Sequence, residues 1–170
     1  PGWQNSGPLH WQTLWEKEFP TLRRVQQQNW DSPRREDWVK RISEEVGRAP
    51  APIVFAAHSL GCIALAHWAQ TAPEQASRIK GALLVAPADP DHLAPQIQGF
   101  SPVPLHPLPF PSVVVASSND PYVSLDRAHE FASAWGSQLE EAGSAGHLNS
   151  ESGLGDWPEG KRLLRNLMEG

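Results

Sequence analysis

Three short, largely apolar runs punctuate the chain: Pro52-Ile53-Val54-Phe55-Ala56, Ala82-Leu83-Leu84-Val85-Ala86 and Ser112-Val113-Val114-Val115-Ala116. None carries a charge, and none alternates apolar with polar residues. Such runs predict strands buried on both faces. Between them the apolar positions recur at helical spacing. Leu9, Trp11, Leu14, Trp15 and Glu18 share one side of a helix predicted over Pro8 to Phe19, with Pro20 as its stop. Ser32-Pro33-Arg34-Arg35-Glu36 reads as an N-cap, a proline at the first helical position and a capping-box acid. The helix it opens carries Trp38, Val39, Ile42 and Val46 on one face. Cys62 to Ala69 reads as a buried helix, and Ser124 to Trp135 and Trp157 to Met168 as two more, with Asp156 and Glu159 suiting the cap and N3 positions of the last. Leu22 to Gln26 is a weak edge strand, and Gln138 to Glu141 a short final one. Buried strands separated by amphipathic helices imply an α/β, three-layer sandwich: a mostly parallel sheet with helices on both faces.

The 170 residues form one domain, 1–170, with enough chain for a single core. The opening Pro1-Gly2-Trp3-Gln4-Asn5-Ser6-Gly7 is loop sequence, which raises the expectation that a first core strand lies upstream of residue 1. Eight tryptophans are spread over the helices and loops, where packing is their default role. The prolines instead gather between Pro87 and Pro111, which marks an irregular segment still threaded with apolar residues.

A net charge of −5 with no basic stripe argues against a nucleic-acid partner. No apolar run approaches the ~20 residues of a membrane span, and no signal-peptide pattern opens the sequence. The single cysteine, Cys62, forbids an internal disulfide, fits a reducing cytoplasm and reads as buried filler. No His, Cys or carboxylate set has metal-ligand spacing, and no glycine loop would cradle phosphate, so neither metal nor cofactor is expected. Nothing in the sequence sets an oligomeric state.

Candidate chemistry lies where the first apolar run meets its helix. Ala57-His58-Ser59-Leu60-Gly61 places a serine between small residues at a strand-to-helix turn, the pattern of a nucleophile elbow. Only small side chains fit two positions either side of such a serine, although Ala57 stands where Gly is usual. The helix N-terminus behind Ser59 would stabilise developing negative charge. In an α/β-hydrolase the acid and then the histidine follow the serine along the chain. Asp120 follows the third apolar strand through Ser117-Ser118-Asn119, with Pro121 turning the chain onward. Asn-Asp-Pro is also plain turn chemistry, and Asp89 and Asp91, after the preceding strand, are rival acids. Of the seven histidines, His147 follows the last strand in Ala145-Gly146-His147-Leu148-Asn149 and is the best placed base. His10, His67 and His129 fall in predicted helices, His92 and His106 in the proline-rich segment. His58 adjoins the serine on a turn that points neighbours apart. The oxyanion hole would use the N–H of Leu60 with a second donor from Trp3 or Gln4.

These motifs together resemble the small serine hydrolases of the YdeN and retinoblastoma-binding protein 9 type. The resemblance spans nearly the whole chain, from Pro1-Gly2-Trp3-Gln4-Asn5-Ser6-Gly7-Pro8 with His10-Trp11-Gln12 and Trp30-Asp31, through the elbow, to Ser117-Ser118-Asn119-Asp120-Pro121-Tyr122, Gly146-His147-Leu148-Asn149 and Ser152-Gly153-Leu154-Gly155-Asp156-Trp157-Pro158. It implies an α/β-hydrolase without a large lid, with catalytic Ser59, Asp120 and His147. Retinoblastoma-protein binding is not expected, because the nearest Leu-x-Cys-x-Glu match, Leu60-Gly61-Cys62-Ile63-Ala64, lacks the glutamate.

The expected activity is hydrolysis of a small or medium acyl ester, a small-molecule substrate, through an acyl-enzyme. Acyl transfer, thioester cleavage and peptide cleavage use the same triad, and a non-catalytic binding module could keep the fold. Leu93, Ile97, Phe100, Val103, Leu105, Leu108 and Phe110 are expected to supply the pocket wall or fill the core.

Overall fold

The computed structural model describes residues 1–170 except Leu93. Four parallel strands, β1 (Ile53–His58), β2 (Ile79–Val85), β3 (Ser112–Ala116) and β4 (Gln138–Glu141), lie side by side in sequence order. Around them run α1 (Trp11–Glu18), α2 (Arg35–Arg48), α3 (Leu60–Thr71), the short α4 (Pro73–Ala76), α5 (Leu125–Trp135) and α6 (Pro158–Glu169), with 3-10 turns at Pro95–Phe100 and Ser150–Ser152.

The alternation of side chains along a strand explains why the runs are apolar throughout. Ala82, Leu84, Val114 and Ala116 point to the face covered by α2, α3 and α5. Leu83, Val85, Val113 and Val115 point to the opposite face, against Trp11 and Trp15 of α1 and Leu163 and Leu164 of α6. Every residue from Ala82 to Val85 is fully buried, as a doubly covered strand requires. β1 is an edge strand among the described residues, and a cavity of about 620 Å³ lies along its outer side.

Several expected boundaries shift. Leu22 to Gln26 forms no strand. Arg24 instead spends its guanidinium on Asn5, the Ser6 carbonyl, Thr13 and Glu16, tying that segment to α1 by side-chain bonds. The first helix begins at Trp11, because the Nδ1 of His10 caps it by accepting the N–H of Gln12. Neither Ser32 nor Pro33 opens α2; the Asn29 side chain accepts the N–H groups of Asp31 and Ser32, and Arg34 precedes the helix without a side-chain cap. α5 begins one residue later than expected, at Leu125, because Ser124 caps it by accepting the N–H of Arg127. Asp156 is not the cap of α6: Trp157 holds that position in the left-handed region (φ 46°), and Asp156 accepts from Lys161. Glu159 pairs with Arg162.

Candidate active site

Ser59 stands between the last residue of β1 and the first of α3, with φ 53° and ψ −123°. A serine held in that sparsely populated region costs on the order of 1–3 kcal/mol, so neighbouring structure must impose it. It does so by close approach. A Cβ on Gly61 would stand 2.5 Å from the Pro1 carbonyl oxygen, and one on Gly2 would stand 2.7 Å from the Ser59 Cβ. Glycine is therefore needed both after the serine and in the loop laid across it.

The loops after β3 and β4 bring the other two residues to it. Ser59 Oγ lies 2.9 Å from His147 Nε2. His147 Nδ1 lies 2.8 Å from one carboxylate oxygen of Asp120 and 2.9 Å from the other. A carboxylate only accepts, so Nδ1 carries the proton and Nε2 is left bare to accept from the serine hydroxyl. The Asp120 side chain is wholly buried and accepts a further bond from the N–H of Tyr122. Asn119 and Ser117 join the two loops: Asn119 Oδ1 accepts the N–H of Gly146, and Ser117 Oγ accepts the N–H of Ala145. From the other side, Trp11 donates its indole N–H to the Leu148 carbonyl at 3.0 Å.

The rival residues are engaged elsewhere. Asp89 pairs with His92 and lies 3.6 Å from Arg127, and Asp91 pairs with Arg127 and accepts from Ser101. His67 meets the Phe100 carbonyl and His129 meets Glu141. His58 borders the same cavity as Ser59, and its Nε2 meets the His147 carbonyl at 2.9 Å. His10 and His58 are buried, and loss of hydration pushes both imidazoles down, His10 to about 3. Burial likewise pushes the Cys62 thiol up, which leaves it without thiolate character.

A cavity of about 290 Å³ opens over Ser59 and His147. Trp3, Ala88, Ala94, Ile97 and Tyr122 give it an apolar side, and Gln4, Asn5, Asn149, Ser150 and Glu151 a polar one. Of the predicted proline-rich wall, only Ile97 lines it among the described residues. Phe100, Val103, Leu108 and Phe110 are buried in the core, Leu105 is exposed, and Leu93 lies outside the described residues. The segment is drawn inward because Trp135 donates to the Pro104 carbonyl and Leu108 donates to the Trp135 carbonyl. Leu60 begins α3, where a backbone N–H has no helical acceptor. The N–H of Gln4 is spent on the Trp30 carbonyl at 3.0 Å, which leaves Trp3 as the candidate second donor. Tyr122, whose ring lies 4.6 Å from that of His147, and the linking Asn119 carry no sequence signal beyond their places beside Asp120.

Residues 1–166 match the family profile described as serine hydrolase. The chain belongs to that family. A protein described as a YdeN-like hydrolase from Pectobacterium atrosepticum is 36% identical, with a TM-score of 0.87 over 99% of this chain and 88% of its own. The ydeN gene product of Bacillus subtilis has the same fold at 21% identity, with a TM-score of 0.78 over 99% of this chain and 96% of its own. Mouse alpha/beta hydrolase domain-containing protein 10 shares the fold at 12% identity, with a TM-score of 0.68 over 99% of this chain and 86% of its own. A search of curated protein sequences finds no match. This serine hydrolase is thus an α/β-hydrolase without a large lid, and none of its described helices is long and apolar enough to cross a membrane.

Proposed function

We propose that this serine hydrolase cleaves small or medium acyl esters through Ser59, His147 and Asp120. The reading is carried by the continuous line of bonds from Ser59 Oγ to His147 Nε2 and from His147 Nδ1 to Asp120. Ser59 Oγ attacks the ester carbonyl as His147 Nε2 takes the hydroxyl proton. Asp120 holds the tautomer and stabilises the imidazolium that forms. Negative charge on the carbonyl oxygen is met by the N–H of Leu60 at the start of α3 and that of Trp3 in the loop laid across the elbow. The imidazolium then protonates the departing alcohol, and water, deprotonated by the same imidazole, releases the acyl group.

A cavity of about 290 Å³ is at the small end of ligand sites and favours short acyl chains. The Leu60-Gly61-Cys62 segment is not offered as a partner motif, because Leu60 and Cys62 are completely buried. The test is turnover of p-nitrophenyl esters of increasing acyl length, by the wild type and Ser59→Ala. Hydrolysis that is best for short chains and abolished in the variant is expected. Equal turnover by Ser59→Ala would overturn the reading, and product formed on added hydroxylamine in preference to water would move it towards acyl transfer.

A further inference from the structure

The elbow and the base are joined twice. Ser59 Oγ meets the His147 ring at Nε2, and the preceding residue, His58, meets the His147 main chain through its own Nε2, each at 2.9 Å. A carbonyl oxygen only accepts, so His58 Nε2 carries a proton and donates it. Two bonds between the same pair of neighbouring residues and one opposing residue close a ring. The His147 loop cannot swing about either bond without breaking the other.

That loop needs an anchor. Leu148, the next residue, is held at φ 49°, a conformation a leucine avoids unless its surroundings impose it. His58 is itself unable to turn away. It is 5% exposed, with the His10 ring 4.7 Å away on one side, edge-on at 70°, and the His147 ring at 4.8 Å. The Trp11 ring is edge-on at 6.3 Å.

We infer that His58 is a positioning residue for the base: the bond from its Nε2–H to the His147 carbonyl sets the reach of the imidazole to Ser59. The inference rests on the proposed roles of Ser59 and His147. His58 touches no reacting atom in this account and transfers no proton. It stays neutral, because burial and the facing His147 disfavour its charge. Packing alone would ask only for a side chain of similar size. The clamp asks for a donor at the Nε2 position, which a glutamine amide nitrogen can reach and an asparagine, one bond shorter, cannot.

The test uses p-nitrophenyl acetate turnover and the rate of fluorophosphonate inactivation for the wild type, His58→Leu, His58→Gln and His58→Asn, with urea midpoints recorded for each. A base displaced by about an ångström loses up to about 100-fold in rate. His58→Leu and His58→Asn are therefore expected to lose about 10- to 100-fold in kcat, with KM little changed and inactivation slowed in parallel. His58→Gln is expected to recover most of the loss. Glutamine and asparagine bury the same amide, so destabilisation common to both leaves their rate difference readable even if the leucine variant fails to fold. Equal rates for His58→Gln and His58→Asn would overturn the inference, as would a wild-type rate in His58→Leu. A wild type that neither turns over nor is inactivated would overturn the reading of Ser59 and His147, and this role with it.

Discussion

Replacing Asp120 by asparagine removes one charge and almost no volume, so its effect isolates what the carboxylate does. The N–H of Tyr122 points at Oδ1, which makes that position an obligatory acceptor and places the amide oxygen there. The amide nitrogen then takes the Oδ2 position, 2.8 Å from His147 Nδ1 in the native protein. Two donors cannot face each other at that distance. The remaining acceptor, Oδ1 at 2.9 Å, is shared with Tyr122, so the balance shifts to the tautomer with Nδ1 bare and the proton on Nε2, 2.9 Å from the Ser59 hydroxyl, where a base is required. An imidazole in the wrong tautomer costs about four decades in kcat, or about 5.4 kcal/mol of transition-state free energy. Stability should change far less, because Tyr122 keeps its acceptor. The assay is p-nitrophenyl acetate turnover at pH 7 for Asp120→Asn and Asp89→Asn, with thermal unfolding of both. The reasoning fails if Asp120→Asn stays within about tenfold of the wild type, since no tautomer error is that mild. It also fails if Asp89→Asn alone is inactive.

Other outcomes follow from the same contacts. Trp11→Phe leaves the buried Leu148 carbonyl without its donor and hollows the contact with Trp15 and Trp157; a loss of about 2–4 kcal/mol is expected in urea unfolding. Gly2→Ala would drive a methyl group against the Ser59 Cβ, so fluorophosphonate labelling should fall sharply in protein that remains folded by circular dichroism. His10 and His58 are held neutral by burial, whereas the unfolded chain protonates both near pH 6.5. Stability should therefore be complete above pH 6.5 and fall as pH drops towards the folded value of about 3 for His10, at about 1.4 kcal/mol per pH unit for each histidine. Urea midpoints measured from pH 7 to pH 4 should show this slope, and His10→Gln should flatten it. Cys62 should resist iodoacetamide in the native state and react only on unfolding.

The parts of the fold legible in sequence were those set by local pattern. Ala82 to Val85 is apolar at every position because both faces of β2 are covered, and the helix expected over Ser124 to Trp135 is α5, one residue shorter. The strand-to-helix turn at Ser59 was legible because a serine between small residues falls where a buried strand run meets a buried helix. What escaped was set by groups distant in the chain. Arg24 has the neighbours of an edge strand, yet four groups around α1 claim it. Asp156 has the place of a cap, yet Lys161 claims it. The proline-rich segment is apolar because α5 and the core take most of it, leaving Ile97 for the cavity. His58 passed as a bystander to Ser59 because its acceptor is a main-chain carbonyl 89 residues away, which no side-chain pattern announces.

The claim on which the rest depends is that Ser59 is an activated nucleophile. The measurement is the intact mass and peptide map of the protein after reaction with a fluorophosphonate, compared with Ser59→Ala. One adduct on Ser59, absent in the variant, is the predicted result. A folded wild type that stays unmodified, or an adduct that persists in Ser59→Ala, would contradict the account.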